Sequence, residues 1–226
     1  MAKANSFTVH RREVRIEPPG LPGTLAIPQD AGGLVIFAHG SGSSRLSPRN
    51  VHVADALNRR GLATLLFDLL TPDEENADAR ARVFDVELLA NRLVAAIAWV
   101  DARTALRGAP LGLFGASTGA AAALVAAAEM PARVAAVVSR GGRPDLAGEA
   151  LERVRAPTLL IVGGEDFGVI ELNERARSRL SCAKELVIVP GATHLFPEPG
   201  ALDEVVTHAA AWFARHLGGT REERRP

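Results

Sequence analysis

The sequence feature that most limits the fold is a series of short, uninterrupted apolar runs separated by stretches of helical periodicity. The runs are GLVIFAHG (33–40), LATLLFDLL (62–70), PLGLFGA (110–116), RVAAVVSRGG (133–142), PTLLIVGG (157–164) and KELVIVPG (184–191). A strand with one wet face alternates apolar and polar residues, whereas a strand covered on both faces has no reason to alternate. Six such runs predict a parallel sheet buried on both sides. By contrast, FTVHRREVRIE (7–17) and GTLAIP (23–28) do alternate. They predict two antiparallel strands with one solvated face, joined near PPGLPG.

Between the runs lie the helices. Ser47 and Pro48 offer an N-cap and a first-turn proline before RNVHVADALNRR, and Gly61 stops that helix. In 82–103, Val86, Leu89, Leu93, Ile97 and Val100 recur at three- and four-residue spacing, one stripe to lay against a sheet. Residues 118–129, 146–154, 169–180 and 201–216 supply further helices, with Trp99 and Trp212 on apolar faces that belong in a core. Alternating strands and helices predict a doubly wound α/β sheet. No repeat or change of composition divides the chain, so residues 1–217 are expected to form one domain. GGTREERRP (218–226) reads as a frayed, charged tail.

Composition narrows the partners. A length of 226 residues, 47% hydrophobic and 23% charged, is enough to bury a sizeable core and excludes wholesale disorder. Lys+Arg and Asp+Glu both number 26, which gives no pull toward nucleic acid or a membrane surface. Cys182 is the single cysteine, so neither an internal disulfide nor a multi-cysteine metal site can form, and a reducing compartment is permitted. The first residues lack an apolar signal core, and the alanine tract after residue 119 ends at Glu129 and Pro131. The expectation is a cytoplasmic monomer or homodimer with a small-molecule substrate and with neither cofactor nor metal.

In a doubly wound sheet, ligands bind beyond the carboxyl ends of the strands. Four of those ends carry HGSGSS (39–44), GASTG (115–119), GGED (163–166) and GATH (191–194). They bring a serine, acids and a histidine. A serine hydroxyl attacks a carbonyl only with a base in reach, and an imidazole base needs a carboxylate to fix its tautomer. Ser117 is therefore the candidate nucleophile, in a G-x-S-x-G turn between strand and helix, with His194 the base. Asp166 is the preferred acid and Glu165 its rival, while capping of the helix near 169 is the structural alternative for either. His39 ends a strand and is expected to order the loop after it; His10, His52, His208 and His216 fall in the hairpin or in helices. Oxyanion donors are expected in the backbone N–H groups of Thr118 and Ser41. HGSGSS lacks the lysine and spacing of a nucleotide-phosphate loop.

With these motifs in place, the chain resembles an α/β-hydrolase, and within that superfamily the compact dienelactone-hydrolase-like branch, over about residues 7–217. The resemblance implies a mostly parallel eight-stranded sheet flanked by helices, its second strand antiparallel, and a triad at Ser117, Asp166 and His194. Dienelactone hydrolases carry a cysteine where this chain has Ser117, which shifts the expectation from their lactone toward a serine esterase acting on small esters or lactones. The segment 140–156 is too short for a large lid domain. A thioesterase, amidase or acyltransferase would use the same residues, and a non-catalytic binding module is the rival of another class. Arg45 and Arg49 follow one site loop, and Arg140 and Arg143 another. If they converge they suit a substrate bearing a carboxylate or phosphate; the alternative is that Asp73, Glu74 or Glu75 pair with them.

Overall fold

The computed structural model describes residues 8–74, 84–103 and 106–218. Its strands are β1 (Val9–Ile16), β2 (Leu21–Pro28), β3 (Gly33–Ala38), β4 (Leu62–Phe67), β5 (Leu111–Ala116), β6 (Val134–Arg140), β7 (Thr158–Gly163) and β8 (Lys184–Val189). They form one sheet in the order β1-β2-β4-β3-β5-β6-β7-β8. Strand β2 runs antiparallel to both β1 and β4, and every later neighbour pair is parallel.

Burial explains the two sequence patterns. Every residue of β3, β4, β5 and β7 is buried, because helices cover both faces of the central sheet. Helices α1 (Pro48–Asn58) and α6 (Ala201–Leu217) cover one face; Val53, Leu57, Val205 and Phe213 pack there with Val35, Phe37, Phe114, Val138 and Ile161. On the other face α2 (Val86–Asp101) and α3 (Thr118–Glu129) bring Leu89, Leu93, Ile97 and Leu124 against Leu34, Ile36, Leu113 and Leu160. Ala120 to Ala123 of α3 are fully buried. Their small side chains let α3 press against the sheet and α2 together.

Some boundaries differ from the sequence reading. KELVIV does not lie in the sheet interior: β8 is the edge strand, and Ile188 stays 39% exposed with no strand beyond it. The helix expected over 146–154 breaks into a 3-10 turn (Pro144–Ala147) and a short α4 (Ala150–Arg153) around Gly148, whose φ is +54°. Helix α5 (Phe167–Arg179) begins two residues early. Apart from Gly218, the tail expected at 218–226 lies outside the described residues. No described helix is long and apolar enough to cross a membrane. Among the described residues no large lid domain interrupts the chain between strands.

Candidate active site

The tight turn at Ser117 begins with what the backbone must do between β5 and α3. β5 ends at Ala116 and α3 starts at Thr118, so one residue carries the whole reversal. Ser117 adopts φ 51° and ψ −122°, a region that costs a residue with a Cβ about 1–3 kcal/mol. The surroundings hold it there. Its N–H donates to the Arg140 carbonyl at 3.3 Å, and its own carbonyl accepts from the N–H groups of Ala120 and Arg143, both at 3.1 Å. The flanking glycines are required by close approach. A Cβ on Gly119 would lie 2.5 Å from the His39 carbonyl oxygen and nearer still to that of Ala38. One on Gly115 would meet Ala120 Cα and lie 2.6 Å from the Gly119 oxygen. All are backbone atoms, which cannot swing aside.

The acid and base arrive on adjacent strands. β7 and β8 pair in parallel register up to Gly163 and Val189, so the loops after them leave the sheet side by side. His194 Nδ1 and Asp166 Oδ2 are 2.6 Å apart. Asp166 stands at the N-cap position of α5, yet its side chain makes no capping bond. Its carboxylate turns to His194 instead, whereas Glu165 is exposed. With Nδ1–H donating to the carboxylate, Nε2 remains as the acceptor of a neutral imidazole. Arg140 and Gly141 lie between the two halves of the site: Arg140 accepts the Ser117 N–H, and a Cβ on Gly141 would lie 2.8 Å from the His194 carbonyl oxygen.

The loop after β3 passes over the serine, where a Cβ on Gly40 would lie 2.9 Å from Ser117 Cβ. The expected donors Ser41 and Thr118 do come together, but Ser41 N–H donates to Thr118 Oγ1 at 3.0 Å. Serving an oxyanion requires that amide to be shared or the threonine hydroxyl to rotate. His39 accepts the Leu69 N–H at Nε2 (3.0 Å), which places its proton on Nδ1, 3.0 Å from the Gly40 carbonyl. It orders the loop, as expected of it. A small apolar pocket lined by His39, Gly40, Ser41, Leu69, Leu70 and Leu89 adjoins the loop. Elsewhere His52 pairs with Asp203 at 2.8 Å and His216 packs on Trp212.

The four arginines separate into two kinds. Arg45 is committed to Asp68, through its guanidinium at 2.8 Å and its backbone N–H at 2.7 Å, with Glu13 at 3.5 Å. Arg143 grips Asp145 with two hydrogen bonds of 2.9 and 2.8 Å, and that grip raises its pKa. Of the expected partners, Asp73 makes no ion pair among the described residues, Glu74 binds Arg92, and Glu75 lies outside the described residues. Arg140 and Arg49 have neither ion pair nor side-chain hydrogen bond among the described residues. Arg140 is 5% exposed; burial first, then the charge of Arg49, pull its pKa down to about 10. It remains a cation at neutral pH. Its depth was the element missed from the sequence, although strand parity signals it: Ala136, Val138 and Arg140 share the face packed against α1 and α6. Among the described residues no group of three or more histidines, cysteines or acids could hold a metal ion.

Set beside known proteins, the chain matches the family model of the dienelactone hydrolase family over residues 21–216. The structure of a dienelactone hydrolase from Anabaena variabilis is 54% identical and superposes with a TM-score of 0.89, covering 94% of this chain and all of that one. Est1E from Butyrivibrio proteoclasticus, 16% identical with a TM-score of 0.76 over 92% of this chain and 99% of its own, shares the fold. Two Mycobacterium tuberculosis proteins, named as proposed phosphoribosyl transferases, are 56% identical over 202 residues, which is 89% of this chain. The chain spans 45% of the length of those two relatives. Its fold, its strand order and the extent of these matches agree: the chain belongs to the dienelactone hydrolase family.

Proposed function

We propose that this chain is a serine hydrolase that cleaves small carboxylic esters or lactones through an acyl-enzyme intermediate. The observation that carries the reading is the 2.6 Å contact between His194 Nδ1 and Asp166 Oδ2, on a loop packed against Gly141, one residue past the Arg140 whose carbonyl accepts the N–H of Ser117, itself held at positive φ. In this reading Ser117 Oγ attacks the carbonyl while His194 Nε2 takes its proton. Asp166 fixes the tautomer and stabilises the imidazolium. The Thr118 N–H, at the positive end of α3, and the Ser41 N–H receive the charge that develops on the carbonyl oxygen. His194 then returns the proton to the leaving oxygen, activates water, and the acyl group departs. The hydrolase family and the esterase likeness support the class of reaction; ester over thioester or amide is the choice proposed.

A second reading comes from the names of the mycobacterial relatives. Phosphoribosyl transfer is favoured by one observation, the unpaired Arg49 and Arg140, which suit a phosphate. It leaves Ser117, His194 and Asp166 without a role, and so it ranks second.

The test is turnover of p-nitrophenyl acetate and butyrate by the purified chain and by Ser117→Ala, alongside labelling with a fluorophosphonate. The expected outcome is activity and Ser117 labelling in the parent, with kcat down by about 10⁶-fold in the variant, the scale seen when a triad serine is removed. Absence of both turnover and labelling in a folded parent overturns the hydrolase.

A further inference from the structure

We propose that Arg49 and Arg140 form a subsite for a dianionic, phosphate-type group of the substrate, next to Ser117. Calling the ligand a substrate rests on the hydrolase reading above; the anion site itself does not.

Three observations meet here. The first is that Arg140 is buried and unanswered. It is 5% exposed, and its Nε and Nη1 are enclosed without an acceptor among the described residues. Buried guanidinium groups ordinarily have a carboxylate or carbonyl against them, because an unpaired buried charge is costly. On the same molecule Arg45 and Arg143 each have one. The second is the neighbour. Arg49, in the first turn of α1, lies close enough to lower the Arg140 pKa through its charge, and its Nε is also enclosed without a hydrogen-bond partner among the described residues. Two like charges in one region of a folded chain are relieved by a counter-charge between them. The third is position. Arg49 is in the first turn of α1, where helix N–H groups are unsatisfied and the helix dipole favours an anion. Arg140 closes β6, with its carbonyl on the Ser117 N–H and the following Gly141 against the His194 loop.

The chemistry of the ligand follows from the donors. Two guanidinium groups present their N–H donors in two planes and carry two positive charges. A carboxylate offers two oxygens in one plane and one negative charge, which leaves one arginine uncompensated. A phosphate-type group offers three oxygens and two charges, and it fits both counts. Such a group would be carried on the acyl or alcohol portion of the ester while Ser117 addresses the carbonyl. Arg45 and Arg143, committed to Asp68 and Asp145, set the rim and are not part of the subsite.

Inorganic phosphate is the probe, added to the purified chain in chloride buffers of constant ionic strength and compared with acetate. Phosphate is expected to raise the melting temperature of the parent and of Arg155→Gln, an exposed arginine outside the site that controls for loss of one charge. In Arg49→Gln, phosphate affinity by calorimetry is expected to fall about tenfold or more, the loss of a charge-assisted contact. Arg140→Gln should do the same, and Arg49→Gln carries the test if that buried variant does not fold. Phosphate should also slow fluorophosphonate labelling of Ser117 in the parent and not in Arg49→Gln. Labelling that proceeds unslowed, with no shift in melting temperature, overturns the subsite and leaves the hydrolase standing. Equal phosphate affinity in Arg49→Gln and the parent overturns it as well, and acetate matching phosphate overturns the dianion. A phosphate effect that Arg49→Gln abolishes, in a parent that no fluorophosphonate labels, keeps the anion site and overturns its assignment to a hydrolase substrate.

Discussion

Ser117 follows β5 and Arg140 ends the adjacent β6, joined by the hydrogen bond from the Ser117 N–H to the Arg140 carbonyl, yet they are fixed by different means. At Ser117 the fixing is done by backbone. Ala38, His39, Gly115, Gly119 and Ala120 approach so closely that any side chain on the two glycines would collide with main-chain atoms. At Arg140 the backbone is an ordinary strand and the unusual element is a buried guanidinium whose Nε and Nη1 have no hydrogen-bond partner among the described residues. The first arrangement has one solution; the second depends on what arrives to balance it. If the proposed roles hold, the contrast sets a reacting end fixed by main chain against a recognition end completed by the charge that it binds.

The comparison can be broken most directly on the reacting side. Asp166→Asn keeps the shape of the side chain but takes away the charge facing His194. The fold should survive, and kcat on a p-nitrophenyl ester should fall by about 10⁴-fold, the loss typical of a triad carboxylate. Glu165→Gln, on the exposed neighbour, should change kcat by less than about threefold, since that side chain makes no hydrogen bond with His194 among the described residues. Equal losses in the two variants would remove Asp166 from its assigned role.

Gly119→Ala attacks the backbone itself. The added methyl would collide with the carbonyl oxygens of Ala38 and His39, and neither strand β3 nor helix α3 can yield without moving the core on both sides. A loss of about 4 kcal/mol or more in urea unfolding is expected, at the extreme end for a single substitution. A variant with parent-like stability would mean that the turn has slack, and that the strain at Ser117 is not enforced by its neighbours.

These two regions also differ in how far the sequence alone disclosed them. The apolar runs and the glycine spacing around Ser117 report backbone demands, and such demands have few alternatives, so the sheet, the turn at Ser117 and the loops that carry Asp166 and His194 were readable. Side-chain partners are set by the fold. Arg45 reaches Asp68, 23 positions away, and Arg143 folds back onto Asp145, while Asp73 and Glu74, acids nearer in sequence to Arg45 and Arg49, pair with none of the four arginines among the described residues. Likewise the hydroxyl of Thr118 lies 77 positions from the Ser41 amide that it accepts, and no local pattern announces that contact. The edge position of β8 was hidden for the same reason: KELVIV has the composition of an interior strand, and only strand order leaves Ile188 partly in water.

Asp68→Asn probes the arginines that already have a partner, outside the subsite. Asp68 receives both the guanidinium and the backbone N–H of Arg45 in a partly buried setting, so losing its charge should cost about 1–3 kcal/mol by urea unfolding. Asp145→Asn interrupts a pair formed two residues apart in a more exposed place, and should cost less, about 0.5–1 kcal/mol. The order matters more than either figure. Reversal would mean that Arg143, rather than Arg45, is the arginine most dependent on its acid.

The smallest effect expected tests the strain at Ser117 in isolation. Ser117→Ala and Ser117→Gly both abolish the hydroxyl, so any difference between them concerns the backbone. Alanine retains the Cβ that makes φ 51° unfavourable; glycine reaches that region freely. Relief of strain of about 1–3 kcal/mol is offset by about 0.5–1 kcal/mol for the greater freedom of glycine in the unfolded chain. The glycine variant should therefore be the more stable of the two by about 1 kcal/mol, read as a higher urea midpoint at unchanged slope. If alanine is the more stable, the strain at Ser117 is smaller than the ~0.5–1 kcal/mol that glycine loses to the unfolded chain, and the turn is not held against a steep conformational cost.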